Sequence, residues 1–302
     1  MAIDVDGLVR RGSAILKEAG VDSPDHDASV LLAHSCGLGK GDVDRARLIG
    51  ETVDSLVDSP RDALCAYRAL IERRAAREPL QTIIGYTRFR GLTVRVGPGV
   101  FIPRPETELV VQEAIDWLVD RRIESPRVVD LCAGSGAIGL SMVSEVANAQ
   151  VWAVELSTEA LAWATRNSTQ LIGARPDIAG AYHLVAADAT ASSTLRELDG
   201  TVDVVVTNPP YVPDGRVPEQ PEVRDHDPSM ALYGRSRDGT AVPRLIIERS
   251  CSLLRPGGLL VMEHDITQGG LLAAHAEAHG FGHVRTMPDW THRPRALVAV
   301  KG

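Results

Sequence analysis

The sequence predicts an α/β fold: a parallel sheet with crossover helices, ending in a terminal antiparallel hairpin and preceded by a small all-helical N-terminal domain. Three observations predict it. Short apolar runs alternate with helical stretches from about residue 107 onward, the mark of a parallel sheet. A glycine-rich turn follows the first of those runs. Residues 1–80 carry helix start and stop signals and no strand pattern.

Within residues 1–80, Ser23-Pro24 and Ser59-Pro60 each set a capping residue before a proline at the first helical position. After Pro60, Ala63, Leu64, Tyr67, Leu70 and Ile71 recur at spacings of three and four, one apolar helix face. Arg73, Arg74 and Arg77 fall in the last turns, where cations suit the helix dipole. Gly20 and Gly37 are expected to stop two earlier helices. Residues 81–106 read as a β-hairpin linker, with Thr82-Ile83-Ile84-Gly85 and Leu92 to Val96 as its short strands. Residues 107–302 form the α/β domain. Its strands are expected at Val128-Val129, Val151 to Val154, His183 to Ala187, Val202 to Val206 and Leu259 to Met262. His283 to Met287 and Arg295 to Val300 make the closing hairpin.

Bulk properties narrow the class. The chain has 302 residues, 44% apolar, enough for two cores. Its net charge of -8 disfavours phosphate, so no direct nucleic-acid partner is expected. Cys36, Cys65, Cys132 and Cys251 form no C-x-x-C pair, as suits reduced thiols. No apolar run reaches the ~20 residues of a membrane span. A soluble, cytoplasmic monomer is expected.

Asp130 to Gly139 reads Asp-Leu-Cys-Ala-Gly-Ser-Gly-Ala-Ile-Gly, after a strand and before a helix. Gly134, Gly136 and Gly139 match the dinucleotide fingerprint G-x-G-x-x-G, which alone is weak. Two acids sharpen it. Glu155 ends the second strand, nineteen residues after Gly136, where a carboxylate accepts from ribose hydroxyls. Asp188, with Ala189, follows the third strand, placed to accept from an adenine amino group. With Asp130 as a further acid, the set suits a cationic sulfonium better than a pyrophosphate. Taken singly, Glu155 reads equally well as an exposed strand-end acid and Asp188 as a helix cap.

Asn208-Pro209-Pro210-Tyr211 follows the apolar strand Val204 to Thr207. The two prolines stiffen the loop and remove competing N–H donors. Asn208 adds a side-chain carbonyl, and Tyr211 a flat face. These features suit an NH2 on a planar π system, whose delocalised lone pair must be aimed at an electrophile. In isolation the loop could equally be a Pro-Pro turn after a buried strand.

Together these motifs resemble Rossmann-like amino-methyltransferases. With Phe101-Ile102-Pro103-Arg104-Pro105-Glu106-Thr107-Glu108 and the helical first domain, the whole chain resembles the PrmC/HemK family, the release factor glutamine N5-methyltransferases. The resemblance implies a class I methyltransferase sheet and S-adenosylmethionine as cofactor. It implies the glutamine of the Gly-Gly-Gln loop of class I peptide chain release factors as substrate, and residues 1–80 as a substrate-recognition domain. Asn208 and the Pro209 carbonyl would hold the amide, with Pro210 and Tyr211 shaping the pocket. Cys132, Ala133, Gly134, Ser135, Gly136, Glu155, Asp188 and Ala189 would hold the cofactor, and Asn208 counts with both sets. Phe101 and Arg104 would sit near the cofactor.

This sequence departs from the family at His226-Asp227-Pro228, Glu263-His264-Asp265, Cys132-Ala133 and Ala189. Competing readings are a glutamine methyltransferase of a ribosomal protein, a nucleobase amino-methyltransferase, an NAD-dependent oxidoreductase and a non-catalytic adaptor. Hydride transfer would need no acceptor loop. His275 and His279 could bind a metal, but without a third ligand they read as a solvated helix face. His264-Asp265 could be an acid–base pair, but an amide nitrogen needs no general base before methyl transfer, so the two read as structural or lid residues.

Overall fold

Asp4 opens the first helix, its side chain accepting the N–H of Gly7 at 2.7 Å, one of the donors a helix start leaves unpaired. In the computed structural model, which describes residues 3–302, the chain forms two compact units. The first runs to Gly85 and takes in Pro218–His226. Its helices are α1 (Val5–Glu18), α2 (Pro24–Cys36), α3 (Lys40–Ile49), α4 (Val53–Leu56), α5 (Pro60–Ala75), α6 (Leu80–Ile84) and, from later in the chain, α10 (Pro221–His226). Val9, Leu16, Leu31, Leu32 and Val43 are fully buried among them. The Ser-Pro boundaries of α2 and α5 are where the sequence predicts them, but neither serine side chain makes the capping bond. Gly37 ends α2 in the left-handed conformation (φ 67°), as expected.

The short strand predicted at Thr82 to Gly85 is instead the end of α6, closed by Gly85 at φ 81°. Ile83 is buried in the helical core with Leu80 and Ile84 against it, so tertiary packing overrides the β preference of Thr-Ile-Ile. Arg74 does more than meet a helix dipole. Its nearly buried guanidinium bonds Asp27 and Glu222, each at 2.8 Å, while Arg77 grips Glu222 at 2.7 and 2.8 Å. Burial works against the Glu222 charge, but the bonds from Arg77 and Arg74 outweigh it and hold its pKa at about 2.

The second unit begins with a hairpin, β1 (Tyr86–Phe89) and β2 (Leu92–Arg95), followed by α7 (Thr107–Asp120). Then come β3 (Arg127–Leu131), α8 (Ala137–Glu145), β4 (Gln150–Glu155), α9 (Thr158–Ala174), β5 (Tyr182–Ala186), β6 (Val202–Thr207), α11 (Ser229–Leu232), α12 (Ala241–Leu253), β7 (Leu254–Glu263), α13 (Gly269–Ala278), β8 (Phe281–Pro288) and β9 (Pro294–Lys301). Seven strands form one sheet in the order β5-β4-β3-β6-β7-β9-β8. The first five are parallel, and β9 and β8 add the antiparallel hairpin. This is the class I methyltransferase sheet that the sequence implies. Both faces are covered, which is why the β6 run is buried at every position. Val204 and Val206 face one core with Phe89, Val94 and Ile102; Val205 faces the other with Ile246 and Leu272.

Strand order reverses between β3 and β6, which pair as neighbours although β4 and β5 lie between them in sequence. The crevice beyond the carboxyl ends of such a pair is where open α/β sheets take ligands. The glycine loop leaves β3 there, and Asn208 leaves β6. Among the described residues, no helix is long and apolar enough to cross a membrane.

Candidate active site

The loop after β3 turns on three residues with left-handed backbone: Cys132 (φ 66°), Gly134 (φ 58°) and Gly136 (φ 85°). A Cβ at Gly134 would meet nothing within 4 Å, whereas one at Gly136 would stand 3.0 Å from the Tyr182 hydroxyl. The first glycine therefore leaves open space, and the second permits close packing beneath the turn. Glu155 ties this loop to the end of β4. Its Oε2 accepts the N–H of Gly134 (2.7 Å), and its Oε1 accepts those of Leu156 and Ser157 (both 2.8 Å).

Asp130 is fully buried beneath the loop, outside the cavity, and its Oδ2 accepts the N–H of Gly139 at 2.8 Å. The expectation that it adds charge at the ligand is corrected. Burial raises its pKa to about 8, with a smaller push from Glu155, against the lowering bond from Gly139. Its Oδ1 and the Tyr182 hydroxyl lack partners. A carboxyl whose folded pKa lies above its unfolded value binds more protons when folded, so stability falls as pH rises from about 4 to about 8. Asp130→Asn should flatten that slope. Melting curves at pH 5 and pH 8 test this; an unchanged slope in the variant would contradict it.

One open cavity lies over the crevice. Cys132, Ala133, Gly134 and Ser135 line it from the loop, Glu155, Asp188 and Ala189 from the neighbouring strand ends, and Asn208, Pro210 and Tyr211 from the acceptor loop. Gly136 and Pro209 do not line it. Phe101, Pro103, Thr107 and Arg235 do. Asp188 takes both the N–H and the hydroxyl of Thr190 on Oδ1 (2.9 and 2.6 Å), and these bonds lower its pKa. Burial raises the Cys132 thiol, which therefore stays protonated and poorly nucleophilic.

A chain of hydrogen bonds runs behind the acceptor loop. Asn208 Nδ2 donates to Thr107 Oγ1 (3.3 Å), and Thr107 Oγ1 donates to Glu263 Oε2 (2.7 Å). The Tyr211 hydroxyl donates to Glu263 Oε1 (2.9 Å). The single hydroxyl proton of Thr107 goes to Glu263, so Thr107 can only accept from Asn208. The Asn208 NH2 is thereby turned to Thr107 and its carbonyl oxygen away from it. Burial raises the Glu263 pKa, opposed by the bonds from Thr107 and Tyr211. Gln268, also buried, donates to the carbonyls of Tyr211 and Asp238 (2.8 Å each). Gly239 must be glycine here, since a Cβ would stand 2.2 Å from the Tyr211 carbonyl oxygen.

The departures acquire places. Asp227 accepts from Arg104 at 2.7 Å, and Arg104 stands 5.0 Å over the Phe101 ring, so Phe101 reaches the cavity and Arg104 backs it. His264 is fully buried, its Nδ1 2.7 Å from the Asp265 carbonyl. Asp265 caps Thr267 and pairs with Arg216 at 3.1 Å. Neither lines the cavity.

Comparison with known proteins bears on the same site. Residues 7–85 match the family model described as PrmC N-terminal domain, and residues 80–222 the one described as Conserved hypothetical protein 95. The release factor glutamine methyltransferase of Bifidobacterium longum (strain NCC 2705) is 56% identical, covering 98% of this chain and 99% of its own. The chain belongs to the release factor glutamine methyltransferase family. That of Streptomyces coelicolor (strain ATCC BAA-471 / A3(2) / M145) is 41% identical over 97% of this chain and 96% of its own. A relative with a different name, the 4-amino-L-phenylalanine/4-methylamino-L-phenylalanine methyltransferase of Streptomyces pristinaespiralis, is 37% identical over 95% and 91%.

In this member of the release factor glutamine methyltransferase family, sequence reasoning misses Thr107, Glu263 and Gln268 as parts of the site. Thr107 stands inside the quoted Arg104 to Glu108 motif, and Glu263 ends a strand; those positions were the available signals.

Proposed function

We propose that this protein transfers a methyl group from S-adenosylmethionine to the side-chain amide nitrogen (N5) of the glutamine in the Gly-Gly-Gln motif of class I peptide chain release factors. One observation carries the reading: a cavity edged by Glu155 and Asp188 meets an Asn-Pro-Pro-Tyr loop at the ends of adjacent strands, in a chain of this family.

The residues present fit the cofactor. Two carboxyl groups line the cavity, the open face of Gly134 admits a ligand close to the backbone, and apolar Phe89, Ile138 and Val242 complete the wall. Acids there favour hydroxyls, an amine and a cationic sulfonium, and disfavour the pyrophosphate of a dinucleotide. Glu155 holds the ribose hydroxyls while bracing the loop through Gly134. Asp188, whose bonds to Thr190 fall on Oδ1, faces the adenine amino group, and small Ala189 leaves room beside it. Cys132, Ala133 and Ser135 complete the cradle. Gly136 acts indirectly, through the turn. When bound, S-adenosylmethionine supplies an electrophilic methyl carbon.

The acceptor loop deals with a poor nucleophile. An amide nitrogen shares its lone pair with the carbonyl, so it must be held with that pair aimed at the methyl carbon. Asn208 accepts one amide N–H on its carbonyl oxygen; although Pro209 does not line the cavity, its carbonyl, assigned by the family resemblance, would accept the other. Pro210 and Tyr211 flank the amide plane. Thr107, Glu263 and Gln268 are positioning residues, keeping Asn208 and Tyr211 in one orientation. No general base is needed before transfer, and the proton leaves after the nitrogen has become cationic.

The protein partner is then a class I release factor, with the helical unit that runs to Gly85 as the recognition domain. The net charge of -8 favours a protein acceptor over a nucleobase, and cytoplasmic, monomeric action fits this reading. Incubation with labelled S-adenosylmethionine and a purified release factor should label the Gly-Gly-Gln glutamine. Label on a ribosomal protein, DNA, rRNA or 4-aminophenylalanine, with none on the factor, would overturn it. Glu155→Ala should weaken S-adenosylmethionine at least about tenfold by losing charge-assisted hydrogen bonds. An unchanged dissociation constant by calorimetry would remove Glu155 from the ribose.

A further inference from the structure

His275 and His279 stand four residues apart, and the fold supplies the third ligand that the sequence does not reveal. Glu248, on α12, faces both. His275 Nε2 lies 3.1 Å from Glu248 Oε1, and His279 Nε2 lies 3.8 Å from the same oxygen. One ligand atom from each of the three residues lies within 4.8 Å of the others. The edge of a tetrahedron with metal–ligand bonds of ~2.0–2.1 Å measures about 3.3 Å. Small side-chain rotations therefore bring all three onto one ion.

The tautomer is also suited to a metal. His279 Nδ1 lies 2.8 Å from the His275 carbonyl oxygen, which can only accept, so Nδ1 carries the proton. In the neutral ring, His279 Nε2 then keeps its lone pair on the side of Glu248, 3.8 Å away. Metal-bound histidines are oriented by such an N–H bond to a backbone carbonyl. The two imidazole rings lie close, with centroids 4.1 Å apart. Arg244, one turn earlier on α12, is drawn toward Asp238 at 3.8 Å.

We propose that Glu248, His275 and His279 bind a divalent transition-metal ion of the zinc type, which clips α12 to α13. Two imidazoles and one carboxylate suit zinc, whereas magnesium and calcium ask for oxygen ligands alone. Three protein ligands leave one position for water. Side-chain exposures of 44% for Glu248, 18% for His275 and 38% for His279 let the ion enter from solvent. None of the three lines the active-site cavity. The clip nonetheless joins elements that frame it: Val242, near the start of α12, lines the cavity, and Gln268, which precedes α13, holds the Tyr211 carbonyl.

The test is zinc titration of untagged, chelator-stripped, full-length protein by calorimetry, with thermal melting alongside. One ion per chain is expected, with micromolar or tighter affinity and a raised melting temperature. His275→Ala, His279→Ala and Glu248→Ala should each weaken binding at least about tenfold and remove the melting shift. Cys251, whose thiol donates to the His279 carbonyl at 3.0 Å, offers a control, because Cys251→Ser should bind zinc as the wild type does. The proposal fails if wild-type binding is weaker than about millimolar. It also fails if the histidine variants bind as tightly as wild type, or if binding follows the thiol alone. Because these readouts are independent of methyl transfer, the result stands apart from the assigned activity.

Discussion

Asn208→Ala should slow methyl transfer to the release factor about a thousandfold, the scale of losing one well-aimed polar group at a reacting centre. Its dissociation constant for S-adenosylmethionine should stay within about threefold of wild type, because the proposed cofactor contacts of Glu155 and Asp188 come from other strands. The amide needs two acceptors to present its lone pair, and the variant leaves one. The loss should fall on kcat more than on KM, since a protein substrate would draw most of its binding from contacts remote from the amide. Single-turnover kinetics with a labelled methyl donor checks this. Wild-type turnover would mean that the amide is held elsewhere, and a lost cofactor affinity would mean that Asn208 serves mainly the donor side.

Glu263 carries the second large effect, and two variants separate its roles. Glu263→Ala strands the hydroxyls of Thr107 and Tyr211 in the interior, which should cost about 2–4 kcal/mol of stability and most of the turnover. Glu263→Gln keeps the shape and should melt close to wild type, yet still lose turnover by about tenfold or more. A glutamine amide can donate to Thr107. The Thr107 hydroxyl is then free to donate to Asn208, whose own amide rotates and turns its NH2 toward the substrate. Acid does the same to the wild type. The Glu263 pKa is raised by burial, so as pH falls the carboxyl gains its proton above the ordinary glutamate range and can itself become a donor. Turnover should therefore be held at high pH and lost as pH falls through that raised value, and Glu263→Gln should lack this limb. A Glu263→Gln enzyme with full turnover and an unaltered pH profile would show that the chain of bonds is only structural.

The sheet is legible because its physics is local. β6 is covered on both faces, so its sequence is a continuous apolar run, and the glycine loop, Glu155 and Asn208 each follow such a run directly. The Thr82 to Gly85 segment misleads for the opposite reason. Its residues favour strand, but burying Ile83 in a helical core decides its shape. The cavity-lining residues of the donor half are visible one by one, whereas the bonds that orient Asn208 are not. Thr107, Asn208 and Glu263 are spread over more than one hundred and fifty positions, and no spacing rule links them. Asp130 shows the same limit: as an acid beside a glycine loop it suggests a ligand contact, yet it faces the protein interior. Which way a strand-end side chain points depends on the layer above it.

The reversal of strand order between β3 and β6 divides the reaction between two stretches of chain. On the proposed reading, the loops that would cradle the methyl donor leave β3, β4 and β5, and the Asn208 to Tyr211 loop that would hold the acceptor amide leaves β6. The two stretches can therefore diverge at different rates. A lineage can exchange one nitrogen acceptor for another by altering the later segment, while the earlier one is inherited intact. An engineer who wishes to redirect this scaffold to a new amine would keep the loops after β3, β4 and β5 and diversify the residues after Thr207.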